Sequence, residues 1–131
     1  MDEPAPISPA FPAVVGVTSL LVLVQAVLAG KFIDGRGGQG LINAHAGVAY
    51  AICLTSLVAA VVAFLSLRVR APELWWGSLA LFVLVVAQTA IGRTITDGGH
   101  DGLITLHVPL AMIIFGISVW LPVRSTALRR A

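Results

Sequence analysis

Two of the three histidines in this chain lie inside long apolar runs, and their neighbours match. Gly40-Leu41-Ile42-Asn43-Ala44-His45-Ala46-Gly47-Val48-Ala49 aligns with Gly102-Leu103-Ile104-Thr105-Leu106-His107-Val108-Pro109-Leu110-Ala111 at a constant interval, 62 residues from 45 to 107. Gly, Leu, Ile, His and Ala coincide, and Asn43 faces Thr105. Upstream, Gln25-Ala26-Val27-Leu28-Ala29-Gly30-Lys31 is similar to Gln88-Thr89-Ala90-Ile91-Gly92-Arg93 with one gap, and each copy then reaches an Asp-Gly turn. Apolar sequence easily produces chance matches among Leu, Ile, Val and Ala. It does not readily produce Gln, Gly-basic, Asp-Gly and Gly-Leu-Ile-x-x-His twice in one order, so the chain reads as an internal duplication.

Each histidine lies five residues past a loop glycine, about 7.5 Å along a helix at 1.5 Å per residue, so the pair sits at one depth. Ionisable groups inside a bilayer are costly and functional by default. Haem iron takes two axial ligands on opposite faces, and neutral imidazole is a common one. Two histidines alone suit a porphyrin, which supplies the other four donors itself. A mononuclear zinc or iron site needs more ligands, and Cys53, eight residues beyond His45, lies about two helical turns away. The leading reading is one non-covalent haem b held by His45 and His107. The others are an interhelical polar pair, another metal, or a proton or substrate path.

The surroundings suit a flat macrocycle or close helix packing: Ala44, Ala46, Gly47 and Ala49 flank His45. Pro109 removes a backbone donor near His107 and could tilt its ring, or is an ordinary membrane-helix proline. Lys31 and Arg93 end their spans at matched positions. They are candidate partners for haem propionates, or interfacial anchors. Gln25 and Gln88 lie deeper and could fix the histidine rings or bond across helices. His100, Asp34, Arg36, Asp97 and Asp101 read as solvated loop residues with turn chemistry.

These residues need elements to hold them. Of 131 residues, 58% are hydrophobic and 11% charged, with mean hydropathy +0.98. Soluble domains carry about 25% charged residues, so lipid must be part of this chain's solvent. A bilayer core needs roughly 20 apolar residues per helix, and four stretches qualify: about Phe11–Phe32, Leu41–Leu67, Leu74–Thr94 and Leu103–Val123. None contains Asp or Glu. The expected fold is all-α: a polytopic membrane four-helix bundle, one domain over 1–131, made of two tandem hairpin repeats at about 11–67 and 74–123. The basic residues cluster at helix ends and speak of topology, not nucleic acid. Arg68 and Arg70 in the middle link and Arg124, Arg129 and Arg130 at the C-terminus put both termini in the cytoplasm. Trp75, Trp76 and Trp120 fall near that boundary. The acidic start, Met1-Asp2-Glu3-Pro4, is unlike a signal peptide, so the first span is expected to be retained. The single cysteine excludes an internal disulfide and C-x-x-C-H haem attachment.

The Gln88-Thr89-Ala90-Ile91-Gly92-Arg93 segment, the Asp-Gly loop and Gly102-Leu103-Ile104-Thr105-Leu106-His107 together resemble one four-helix half of the haem A synthase family. The chain is similar, too, to small four-helix bacterial membrane proteins with the same Gln…Gly…His pattern. The resemblance covers nearly the whole chain. It implies histidines on the second and fourth helices flanking a haem, in a bacterial cytoplasmic membrane. The family's catalytic half has a glutamate three positions before the second-helix histidine and an arginine after it; here those places hold Ile42 and Ala46. The paired loop cysteines are also absent. What remains is closest to the non-catalytic, haem b-binding half, which argues against synthase activity. The expected function is therefore a small b-type cytochrome. It would transfer electrons between a quinone pool and a partner, or serve as an accessory subunit of a larger redox complex or oligomer. A cofactor-free assembly subunit and a small transporter are the alternatives.

Overall fold

A computed structural model describes residues 8–33 and 38–130, with backbone alone for Phe32 and Ile33. The described residues are helical: α1 (Ala10–Ile33), α2 (Gln39–Leu67), α3 (Pro72–Gly98), a 3₁₀ turn (Asp101–Leu103) and α4 (Ile104–Arg130). All four α-helices are long and apolar enough to cross a membrane. They run past the expected span ends. Pro72 and Glu73, expected in a link, form the first turn of α3, where a missing N–H costs nothing and a carboxylate meets the positive end of the helix dipole. Asp97 and Gly98 extend the far end of α3, which Gly99 closes with φ 63° and an N–H bond to the Ile95 carbonyl. The expected loop charges Asp34 and Arg36 lie outside the described residues.

The helices pack in a ring, α1 on α2, α2 on α3, α3 on α4 and α4 on α1, so α2 and α4 stand diagonally opposite. The buried seams are spaced by three and four residues: Phe11, Val15, Thr18 and Val22 on α1; Ile52, Ser56, Ala59 and Ala63 on α2; Leu74, Ser78, Leu81 and Val85 on α3; Ile114, Ser118, Leu121 and Ser125 on α4. That spacing is the heptad pattern of near-parallel helices. Large apolar side chains such as Leu20, Leu54, Leu65 and Met112 face outward, 61–74% exposed, where lipid must cover them.

The buried hydroxyls are each satisfied within their own helix. Thr18 donates to the Val14 carbonyl, Ser56 to Cys53, Ser78 to Leu74, Ser118 to Phe115 and Ser125 to Pro122. Such bonds let polar side chains sit in a core at little cost. One further hydroxyl works between helices. Pro122 has no N–H for the Ser118 carbonyl four residues back, and Ser19 Oγ on α1 donates to that carbonyl at 2.7 Å. Ser19 thus fills the gap the proline leaves and ties α1 to α4.

The two ends of the bundle differ. At the end bearing the α2–α3 link, Phe64 packs on Trp75 with ring centroids 5.1 Å apart, Arg68 lies over the Phe64 ring, and Arg124 pairs with Glu73 at 3.1 Å. We call this the arginine end, and the opposite one the loop end.

Candidate cofactor site

Continued toward the loop end, the seams arrive at the residues singled out by the sequence. Three residues beyond Val22 and Val85 come Gln25 and Gln88; seven residues from Ile52 and Ile114 come His45 and His107. Val22, Ile52, Val85 and Ile114 are the last fully buried residues of their helices in this direction. Beyond them no described side chain is fully buried, although α2 and α3 continue for about 20 Å at 1.5 Å per residue. The half-buried residues there include the small Ala29, Ala49, Gly92 and Ala111 beside larger ones such as Val48, Ile95 and Leu110. The bundle is fully closed in its arginine half and less buried in its loop half.

The two histidines stand on the diagonal helices, each seven residues beyond the last buried residue of its seam. Both are partly buried. Gln25 Nε2 donates to the backbone carbonyl of His45 at 2.9 Å, and Gln88 Nε2 donates to that of His107 at 2.9 Å. The glutamines therefore cross between helices and hold the histidines by their main chain; they do not bond the rings. A long side chain on α1 or α3 fixes the neighbouring helix at the residue that carries the imidazole. The opposite ends of these amides, Gln25 Oε1 and Gln88 Oε1, are buried without a hydrogen-bond partner, as is His107 Nδ1. Unpaired polar atoms are costly in a low-dielectric interior.

The His107 ring lies against α3. A Cβ built on Gly92 would meet its Cε1 at 3.1 Å. A side chain at that position would make the imidazole shift by a few tenths of an ångström, which gives Gly92 a positioning role. Its helical spacing from Gln88, one turn, was the available signal.

Lys31 and Arg93 are both exposed, and they do not occupy equivalent faces. Lys31 is six residues past Gln25 and Arg93 five past Gln88. On continuous helices that extra residue turns the side chain by about 100°. The sequence gap falls inside a helix and cannot be absorbed. Arg93 is turned toward α2, where its guanidinium donates to Tyr50 Oη at 2.7 Å and to Asp97 Oδ2 at 2.9 Å. Tyr50 was not among the residues the sequence pointed to. Beside it Cys53 and Thr89 meet at 3.4 Å, away from the histidines. His100 is exposed in the α3–α4 connection, its ring folded over Gly98.

In the loop half, side-chain hydrogen bonds between described residues join α1 to α2, α2 to α3 and α3 to α4, and none of them joins α4 to α1. No cluster of three or more His, Cys, Asp or Glu that could hold a bare metal ion occurs among them either. Two imidazoles on diagonal helices suit a planar ligand that brings its own remaining donors better than a bare ion. Comparison with protein-family models, curated proteins and solved structures finds no match for the chain.

Proposed function

We propose that this protein is a small membrane b-type cytochrome that holds one haem b between His45 and His107. The observation that supports the reading is the matched pair of partly buried histidines on diagonal helices, each seven residues beyond the last buried seam residue of its helix and each held through its carbonyl by a glutamine of a neighbouring helix. Haem bound by two imidazoles exchanges single electrons and has no open coordination position.

The chain's own residues have distinct parts in this. His45 and His107 would hold the haem iron through their imidazole nitrogens. Gln25 and Gln88 fix the height of each histidine through its carbonyl. Gly92 makes room for the His107 ring. Val22, Ile52, Val85 and Ile114 close the floor and keep water of the arginine half from the site. Lys31 offers a cation for propionates at the loop end; Arg93 is already engaged by Tyr50 and Asp97.

The same reading makes the two hairpins tandem copies, with the arginine end and both termini on the cytoplasmic side of a bacterial inner membrane. Its support is the paired sequence segments and the arginines at one end. The resemblance to the haem b-binding half of haem A synthases points the same way. Electron transfer with a quinone pool or within a larger redox complex then follows. The competing reading, an assembly subunit with structural histidines, is favoured by the tight seat of His107 on Gly92.

Optical spectra of detergent-purified protein from haem-replete cells separate the two. The cytochrome shows a reducible low-spin b-type spectrum that His45→Ala and His107→Ala each abolish. A colourless wild-type protein that takes up no added haem rejects the proposal.

A further inference from the structure

We infer that the outward side of the α2–α3 groove at Tyr50, Arg93 and Asp97 is a binding site for the head of a lipid-soluble quinone. Tyr50 is 52% exposed, and the Arg93 and Asp97 side chains are 59% and 60% exposed. Tyr50 lies well inside α2, whereas Arg93 and Asp97 belong to the last two turns of α3, at the level where a bilayer passes from acyl chains to headgroups. A polar group on the lipid-facing surface at the depth of Tyr50 is costly and functional by default. The three are bonded in line, Tyr50 Oη to Arg93 and Arg93 to Asp97.

The chemistry of the cluster selects its ligand. Asp97 sits on the guanidinium at 2.9 Å, so the pair has no net charge to offer a phosphate, and the carboxylate repels one. What the cluster presents is a phenol and guanidinium N–H groups as donors, with a carboxylate as acceptor. A quinone carbonyl accepts from such donors, and a hydroquinone hydroxyl donates to such an acceptor. Exposed Leu57 and Val86, one turn beyond Cys53 and two turns before Arg93, offer an apolar wall for a prenyl tail. A neutral, hydrogen-bonding head on an apolar tail therefore fits better than an anionic lipid.

The position matters as well. Tyr50 follows Ala49 and Arg93 follows Gly92, two of the small seam residues of the proposed haem site. The use made of the quinone rests on the cytochrome reading; the binding itself does not.

The chain has one tyrosine, so 3-fluorotyrosine labelling gives a single fluorine resonance at position 50. In nanodiscs of zwitterionic lipid, decylubiquinone should shift that resonance saturably. Arg93→Gln and Asp97→Asn should each weaken the effect by about tenfold, the loss expected for one charge-assisted hydrogen bond, while helix content by circular dichroism is unchanged. The inference is overturned by the absence of a saturable shift, or by a shift that both variants leave intact. A shift with phosphatidylglycerol in place of decylubiquinone overturns it too, in favour of an anionic headgroup. A protein that binds the quinone yet never takes up haem defeats the cytochrome reading alone.

Discussion

Gly92→Ala separates a histidine that holds a ligand from one that merely packs. The added methyl would stand 3.1 Å from His107 Cε1, against about 3.5–4.0 Å for a relaxed carbon contact, so the ring must yield by about 0.5 Å. In the cofactor-free protein it can do so by turning off its rotamer, at about 0.5–1.5 kcal/mol. Replacing a mid-helix glycine by alanine returns about 0.5–1 kcal/mol. The two nearly cancel, and apo stability should change by less than about 1 kcal/mol. With haem bound, the ring is held at both ends, by its helix and by the metal, and cannot turn away. The strain of about 0.5–1.5 kcal/mol then falls on binding and weakens haem affinity roughly two- to tenfold. Thermal melts of apo-protein and a Soret titration with added haem read the two quantities separately. If apo stability drops strongly while affinity stays at the wild-type value, His107 is a packing residue and the argument fails.

Other variants test the frame around the site. Ser19→Ala removes the hydroxyl that satisfies the carbonyl vacated by Pro122, and should cost about 1–2 kcal/mol in a denaturation assay in detergent. In a Pro122→Ala background, where a backbone N–H returns to that carbonyl, the same change should cost much less; equal costs in both backgrounds would refute the pairing. Gln88→Leu and Gln25→Leu each delete one interhelical bond and should lower stability by about 0.6–1.7 kcal/mol. Each should also broaden the low-spin spectrum, because the histidine loses its fixed height; unaltered spectra in both would show that the glutamines do not position the ligands. Glu73→Gln breaks a half-exposed pair with Arg124 and should cost at most about 1 kcal/mol, decreasingly so in high salt.

Much of the frame was readable from residue types, because lipid imposes so few solutions. Charge-free runs of sufficient length could only be helices, and the pairing of Gln25 and Gln88 with the histidine segments is visible as a repeated order of rare residues. The helix ends were less legible: Pro72 and Asp97 look like loop residues, yet one opens and the other extends α3. The relation of Lys31 to Arg93 misled for a geometric reason. An alignment tolerates a one-residue gap, whereas a helix converts it into a rotation. The bond from Ser19 to Ser118 and the contact of Tyr50 with Arg93 depend on which helices are neighbours, and local periodicity carries no record of that. The lower burial of the loop half was hidden for the same reason, since small residues flanking His45 are compatible with tight packing or with loose packing.

Ser19 joins the first and last helices of the ring at the level of Ser118, on the arginine side of the buried layer of Val22, Ile52, Val85 and Ile114. Toward the loop end no side-chain hydrogen bond between described residues repeats that tie. Under the proposed cytochrome reading, a haem dissolved in the bilayer would reach the histidines laterally, edge first through this seam, and not through an end of the bundle.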